Sequence, residues 1–151
     1  MAALLGFAIP FLFVFLSVFF DTKVHTVNDI RRLSKIPILG VCYGAQYLAH
    51  FFGGEVAPSN TREYGRANLG FIDHDSVLFK DVSLHTQVWM SHGDTIVKLP
   101  KNYKVIASTE DVNFAAYKID DEKTWAIQFH PEVYHTTEGK QLLTNFISDI
   151  C

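Results

Sequence analysis

Pro37-Ile38-Leu39-Gly40-Val41-Cys42-Tyr43-Gly44-Ala45-Gln46 runs a short apolar stretch into a cysteine and then into helix-compatible sequence that continues to Phe52. This pattern predicts a buried strand, a sharp turn and a helix, with the cysteine at the junction. Gly40 and Gly44 supply the small neighbours such a turn needs, because strand and helix backbones come close on either side of it. Cys42 then sits at a helix N-terminus, where unpaired N–H groups and the positive end of the dipole favour thiolate over thiol. A second piece follows 88 residues later, Phe129-His130-Pro131-Glu132. Trp125 to Phe129 reads as a strand leading into His130, and residues two apart on extended backbone project to one side, which brings Glu132 near His130. Pro131 fixes one dihedral between them and favours extended backbone before it. A lone cysteine is ordinarily a small buried hydrophobe. The flanking glycines, the strand before each motif and the order Cys, His-x-Glu together point to a nucleophile, its base and the carboxylate that orients the base.

On these motifs the sequence resembles the class I (triad) glutamine amidotransferases, and among them the amidotransferase domains of GMP synthases. The resemblance covers roughly residues 35 to 151. It also rests on Thr61-Arg62-Glu63-Tyr64-Gly65, Trp89-Met90-Ser91-His92-Gly93-Asp94 and His135-Thr136 followed by Glu138-Gly139-Lys140. It implies hydrolysis of L-glutamine through a thioester on Cys42, with His130 as base and Glu132 as its partner, and delivery of ammonia to a synthetase that aminates XMP to GMP. By matching positions, Gln46 contacts the amino-acid end of the substrate, and Ser91, Gly93 and Asp94 belong to the loop holding its α-amino and α-carboxyl groups. A carboxylate suits an ammonium, and N–H groups bared by glycine suit a carboxylate. The Tyr43 N–H, the first after the nucleophile, is the expected oxyanion donor. Without the resemblance, Ser-His-Gly-Asp would read as an ordinary turn after a strand.

The resemblance implies an α/β fold: an open, mostly parallel, flavodoxin-like sheet flanked by helices, here lacking the usual first strands, with the site at the carboxyl ends of the strands. Only 41 residues precede Cys42 and they contain no Gly-Gly, so the Gly-rich loop giving a second oxyanion donor is expected to be missing. In its place stands Met1 to Phe20, an uncharged run with six phenylalanines and one proline. Twenty apolar residues are about enough to span a bilayer. Arg31 and Arg32 then give a weak cytoplasmic-side signal. Membrane association is expected only through residues 1–20, which read as an anchor, an apolar core segment or sequence foreign to the ancestral domain, the last being preferred. The expected organisation is this segment followed by one amidotransferase domain over residues 21–151.

With 48% hydrophobic residues, 19% charged residues and a formal charge of −3, the chain fits a packed core and offers no basic stripe for nucleic acid. Two cysteines make no disulfide framework, and a reactive thiol suits a reducing, cytoplasmic setting. No metal pair is expected among the histidines and no cofactor in this domain; ATP and Mg belong to a separate ATP pyrophosphatase (synthetase) domain or subunit, whose Ser-Gly-Gly-x-Asp-Ser loop is not found here. Arg62 to Arg66 is a docking-loop candidate or a solvated turn. Strands are expected at Ala67–Ile72, Gln87–Met90, Lys104–Ser108, Phe114–Ile119 and Thr124–Phe129, and the end is expected to be helical, with Leu142, Leu143, Phe146, Ile147 and Ile150 as one apolar stripe. A different reading keeps the motif but makes the chain a catalytically silent binding module; another cysteine hydrolase on a similar fold, such as a γ-glutamyl hydrolase, is a third.

Overall fold

The hydrophobic residues of the described region, residues 36–151 of a computed structural model, sort onto the two faces of one six-stranded sheet. The expectations for residues 1–20 lie outside this region. The strands are β1 (Ile38–Val41), β2 (Glu55–Ile72), β3 (Gln87–Lys98), β4 (Tyr103–Thr109), β5 (Ala116–Ile119) and β6 (Thr124–Ile127), in the order β1-β6-β5-β4-β2-β3. Helix α1 (Tyr43–Phe51) follows β1 directly, a 3-10 turn (Val77–Phe79) lies between β2 and β3, and α2 (Gly139–Asn145) runs into a π-helical turn (Phe146–Ile150).

The fold is α/β, as expected, but the described sheet is mixed. Only β1 and β6 run parallel, and the other four pairings are antiparallel. Connection length explains the correction: residues 110–115 and 120–123 are too few for a crossover, so β4, β5 and β6 fold back as hairpins. The parallel pair positions the site, because the chain leaves β1 into Cys42 and β6 towards His130 at the same end of the sheet.

One face buries Ala45, Leu48 and Ala49 of α1 against Ile96, Tyr103, Tyr117, Ile119 and Ala126. Tyr117 is wholly buried and its hydroxyl donates to the Ala45 carbonyl at 2.6 Å, tying β5 to the first turn of α1; burial pushes its pKa up, so it stays a donor. The other face packs Leu69, Leu78, Phe79, Ile106, Ile127 and Phe129 under Leu142 and Ile150. The terminal stripe is narrower than expected: Leu142 and Ile150 are buried, whereas Ile147 is 67% exposed. The wide turn closed by the Cys151 N–H on the Phe146 carbonyl carries Ile147 outward. Asn145, at 3% exposure, docks this end instead, donating to the carbonyls of Leu78 (3.0 Å) and Lys80 (2.7 Å).

Two stretches expected as loops are strand. Ser91 to Asp94 continues β3, and the backbone of Arg62 to Arg66 lies within β2. The β2–β3 register passes from Glu63↔His92 to Pro58↔Asp94, so residues 59–62 bulge opposite Gly93. The ladder continues on both sides of the irregularity, which is why local turn composition misleads here.

Candidate active site

Cys42 occupies the strand-to-helix junction with φ 51° and ψ −108°, a conformation that L residues adopt only when the surroundings impose it. Its N–H donates to the Ile127 carbonyl on β6 at 2.9 Å, while its own carbonyl accepts from the N–H groups of Ala45 and Gln46 to start α1. The residue is thus held from the sheet on one side and the helix on the other. Gly40 permits the close approach: a Cβ there would lie 2.9 Å from Leu48 Cδ1 and 3.2 Å from the Gly44 carbonyl.

At the end of β6, Nδ1 of His130 lies 2.7 Å from Oε1 of Glu132, with the His130 side chain 24% exposed and that of Glu132 54% exposed. Burial pushes the Glu132 carboxyl up, but the hydrogen bond to His130 and local backbone and charge outweigh it and leave the group below its ordinary value. The Cys42 thiol donates to the Ser91 carbonyl on β3, with sulfur and oxygen 3.8 Å apart. Burial raises the thiol pKa; the Tyr43 backbone N–H opposes this, and the negative charge of Glu132 adds to it. Burial outweighs the N–H groups, so the thiol pKa is raised where the helix N-terminus alone led to the expectation that it is lowered.

Gln46 is 7% exposed, and its amide donates to the Asp94 carbonyl at 2.6 Å and to Gln128 Oε1 at 3.2 Å. Gln128, wholly buried two residues before His130, passes its own amide to Thr95 Oγ1 at 3.4 Å. A buried amide relay therefore links the elbow helix, β3 and the strand bearing His130. Ser91, Gly93 and Asp94 are exposed along the β3 edge and Tyr43 is 73% exposed, whereas His92 points inward. Burial lowers the His92 pKa, with the charge of nearby His130 acting the same way and an Asp94 backbone contact opposing.

The structure thus gathers Cys42, Ser91, Gln46 and Asp94 around the elbow, with Glu132 close enough for its charge to act on the sulfur. Sequence reading assigned no role to Gln128, His92 or Thr136. For Gln128 the signal was present, a single amide inside the apolar run Trp125 to Phe129.

The family model of class I glutamine amidotransferases matches residues 16–150, and the chain belongs to that family. The match begins upstream of residue 35, where the motif reading stopped. The chain is 64% identical over 130 residues to a glutamine-hydrolyzing GMP synthase of Flavobacterium psychrophilum, covering 86% of this chain and 25% of that protein. To one of Phocaeicola vulgatus it is 57% identical over 125 residues, covering 83% and 24%. The chain therefore spans about a quarter of the length of the curated relatives it matches. Among solved structures, a candidate GMP synthase subunit from Thermoplasma acidophilum superposes with a TM-score of 0.72 at 29% identity, covering 82% of this chain and 65% of that one. A glutamine amidotransferase of Thermotoga maritima superposes at 0.63 and 25% identity, covering 82% and 51%. Among the described residues no helix is long and apolar enough to cross a membrane.

Proposed function

We propose that this chain is a glutaminase module that hydrolyses L-glutamine through a γ-glutamyl thioester on Cys42 and supplies ammonia for the conversion of XMP to GMP. The observation that carries this reading is the strained Cys42 at the elbow, beside a His130–Glu132 pair held at 2.7 Å at the same end of the parallel strands. In the first half-reaction the thiol proton passes to His130 as the sulfur attacks the side-chain amide carbon. The imidazolium then protonates the leaving nitrogen, and ammonia departs. A water deprotonated by His130 attacks the thioester, releasing glutamate and restoring the thiol.

The Tyr43 N–H serves as oxyanion donor. Asp94 faces the substrate ammonium, Ser91 and Gly93 its carboxylate, and Gln46 supports that end through its bond to the Asp94 carbonyl. ATP and Mg act on a separate ATP pyrophosphatase module; what supports a separate module is that the chain spans only about a quarter of the glutamine-hydrolyzing GMP synthases it matches. A free thiol nucleophile suits the reducing cytoplasm. The raised thiol favours one competing reading, an amidotransferase-like module that is silent alone.

Treating the full chain with a glutamine-like chloroketone and reading its intact mass separates the two. The expected result is a single adduct at Cys42, suppressed by glutamine and absent from Cys42→Ala. A folded wild-type chain that takes up no label overturns the glutaminase reading in favour of the silent module.

A further inference from the structure

Thr136 lies six residues beyond His130 and is 5% exposed, and its hydroxyl is used twice. It accepts the Trp89 N–H at 3.1 Å and donates in a short bond to the His130 carbonyl. The His130 N–H donates directly to the Trp89 carbonyl at 3.0 Å. Two directly opposed residues of an antiparallel pair ordinarily exchange both N–H···O=C bonds. Here, in the same pattern, one bond is direct and the other is relayed by the Thr136 hydroxyl, just before Pro131. Both peptide groups flanking the His130 Cα are thereby tied to Trp89.

The segment carrying the hydroxyl is itself anchored. The Gln87 amide donates to the His135 carbonyl at 2.7 Å, the Thr137 N–H donates to the Gln87 carbonyl at 3.0 Å, and the His135 ring stacks on Trp89 with centroids 4.3 Å apart. The Thr136 carbonyl accepts the Gly139 N–H at 3.1 Å, and a Cβ at Gly139 would overlap the Pro131 carbonyl, so α2 begins packed against the His-Pro-Glu turn.

We propose that Thr136 is a positioning residue which, through its hydroxyl, fixes the backbone at His130 and hence the direction of the imidazole that serves Cys42 and its 2.7 Å pairing with Glu132, which in turn sets the tautomer. The role at Cys42 rests on the glutaminase reading; the effect on the His130 ring does not. Displacement of a reacting group by about 1 Å can cost ~10²-fold in rate. Thr136→Val keeps the shape and removes the relay, whereas Thr136→Ser restores the hydroxyl.

The full chain and both variants are compared below their thermal midpoints by two measurements: the rate of chloroketone labelling at Cys42 with its protection by glutamine, and the nitrogen-15 shifts of the His130 ring. We expect Thr136→Val to label at least about tenfold more slowly, with unchanged half-protecting glutamine concentration. We also expect its His130 ring to show mixed tautomers, while Thr136→Ser behaves as wild type on both measurements. Wild-type labelling and a single tautomer in Thr136→Val overturn the proposal, as does equal impairment of the Ser and Val variants, which indicates a packing role. If wild type fails to label, the glutaminase reading falls and the nitrogen shifts alone decide whether Thr136 sets the imidazole.

Discussion

At the residue scale, opposing effects act on the sulfur. The Tyr43 N–H favours thiolate, while burial and the Glu132 charge favour thiol, and the second group wins. Glu132 therefore does two things: it holds His130 Nδ1 at 2.7 Å and its charge raises the thiol. Replacing it with neutral glutamine removes the negative charge, so the Cys42 pKa falls in Glu132→Gln, and the pH midpoint for alkylation by uncharged iodoacetamide moves down. Glutamine hydrolysis moves the other way, dropping by roughly 10²-fold because the base loses its orienting carboxylate. A midpoint that stays in place would mean that the carboxylate charge does not govern the sulfur. The sequence reading named Cys42, His130 and Glu132 from local patterns and judged the thiol from the helix end alone; desolvation depends on neighbours from distant strands, which no local pattern reports.

At the scale of elements, the elbow depends on how closely α1 approaches β1. Gly40 pairs with Ala126 in the parallel ladder and has Leu48 and Gly44 above it. A methyl group at 2.9 Å from Leu48 Cδ1 forces the helix outward, and overpacking of this kind costs about 1–3 kcal/mol. Gly40→Ala is therefore expected to lower the thermal midpoint by several degrees and to slow Cys42 labelling; a midpoint within a degree of wild type would show that Leu48 can move aside. The strand runs at β1, β4 and β6 were legible within a residue or two, because uninterrupted apolar or β-branched stretches there meet short polar turns. The stretch from Ser91 to Asp94 was expected as a loop, and its place in β3 comes from pairing with β2 and not from its own Gly and Asp. The outward turn of Ile147 was equally hidden: it follows from a wide helical turn that the apolar spacing does not encode.

At the scale of the whole molecule, an ion pair ties the end of β2 to its neighbour β4. Asp73, just past β2, holds Lys104 of β4 at 2.6 Å, with the Asp73 side chain 12% exposed. The Lys104 hydrogen bond is the main cause of the lowered Asp73 pKa; burial opposes it, and a backbone bond from Asp75 adds to it. A carboxyl whose folded pKa lies below its unfolded value contributes stability above the unfolded value, and that contribution disappears as pH falls through the folded one. Asp73→Asn is thus expected to melt a few degrees below wild type at neutral pH. The gap should close under acid conditions, once Asp73 is protonated in wild type as well. A gap that is the same at both pH values would assign the loss to packing instead of charge.

What the sequence determined by itself was the family and the order of its motifs along the chain: a cysteine between small residues at a strand-to-helix junction, a histidine and glutamate two apart after a second strand, and the motifs that mark a class I glutamine amidotransferase. These are local signals, since dihedral freedom, residue spacing and apolar runs act over a few neighbouring positions. Tertiary structure alone decided that β1 and β6 lie side by side in parallel, that the remaining pairings are antiparallel, that the thiol is raised, and that Gln128 and Thr136 tie the site segments together. Except for the hairpins of β4, β5 and β6, which short connections impose, those outcomes depend on contacts between residues far apart along the chain, where burial and hydrogen-bond partners are set by which strands meet.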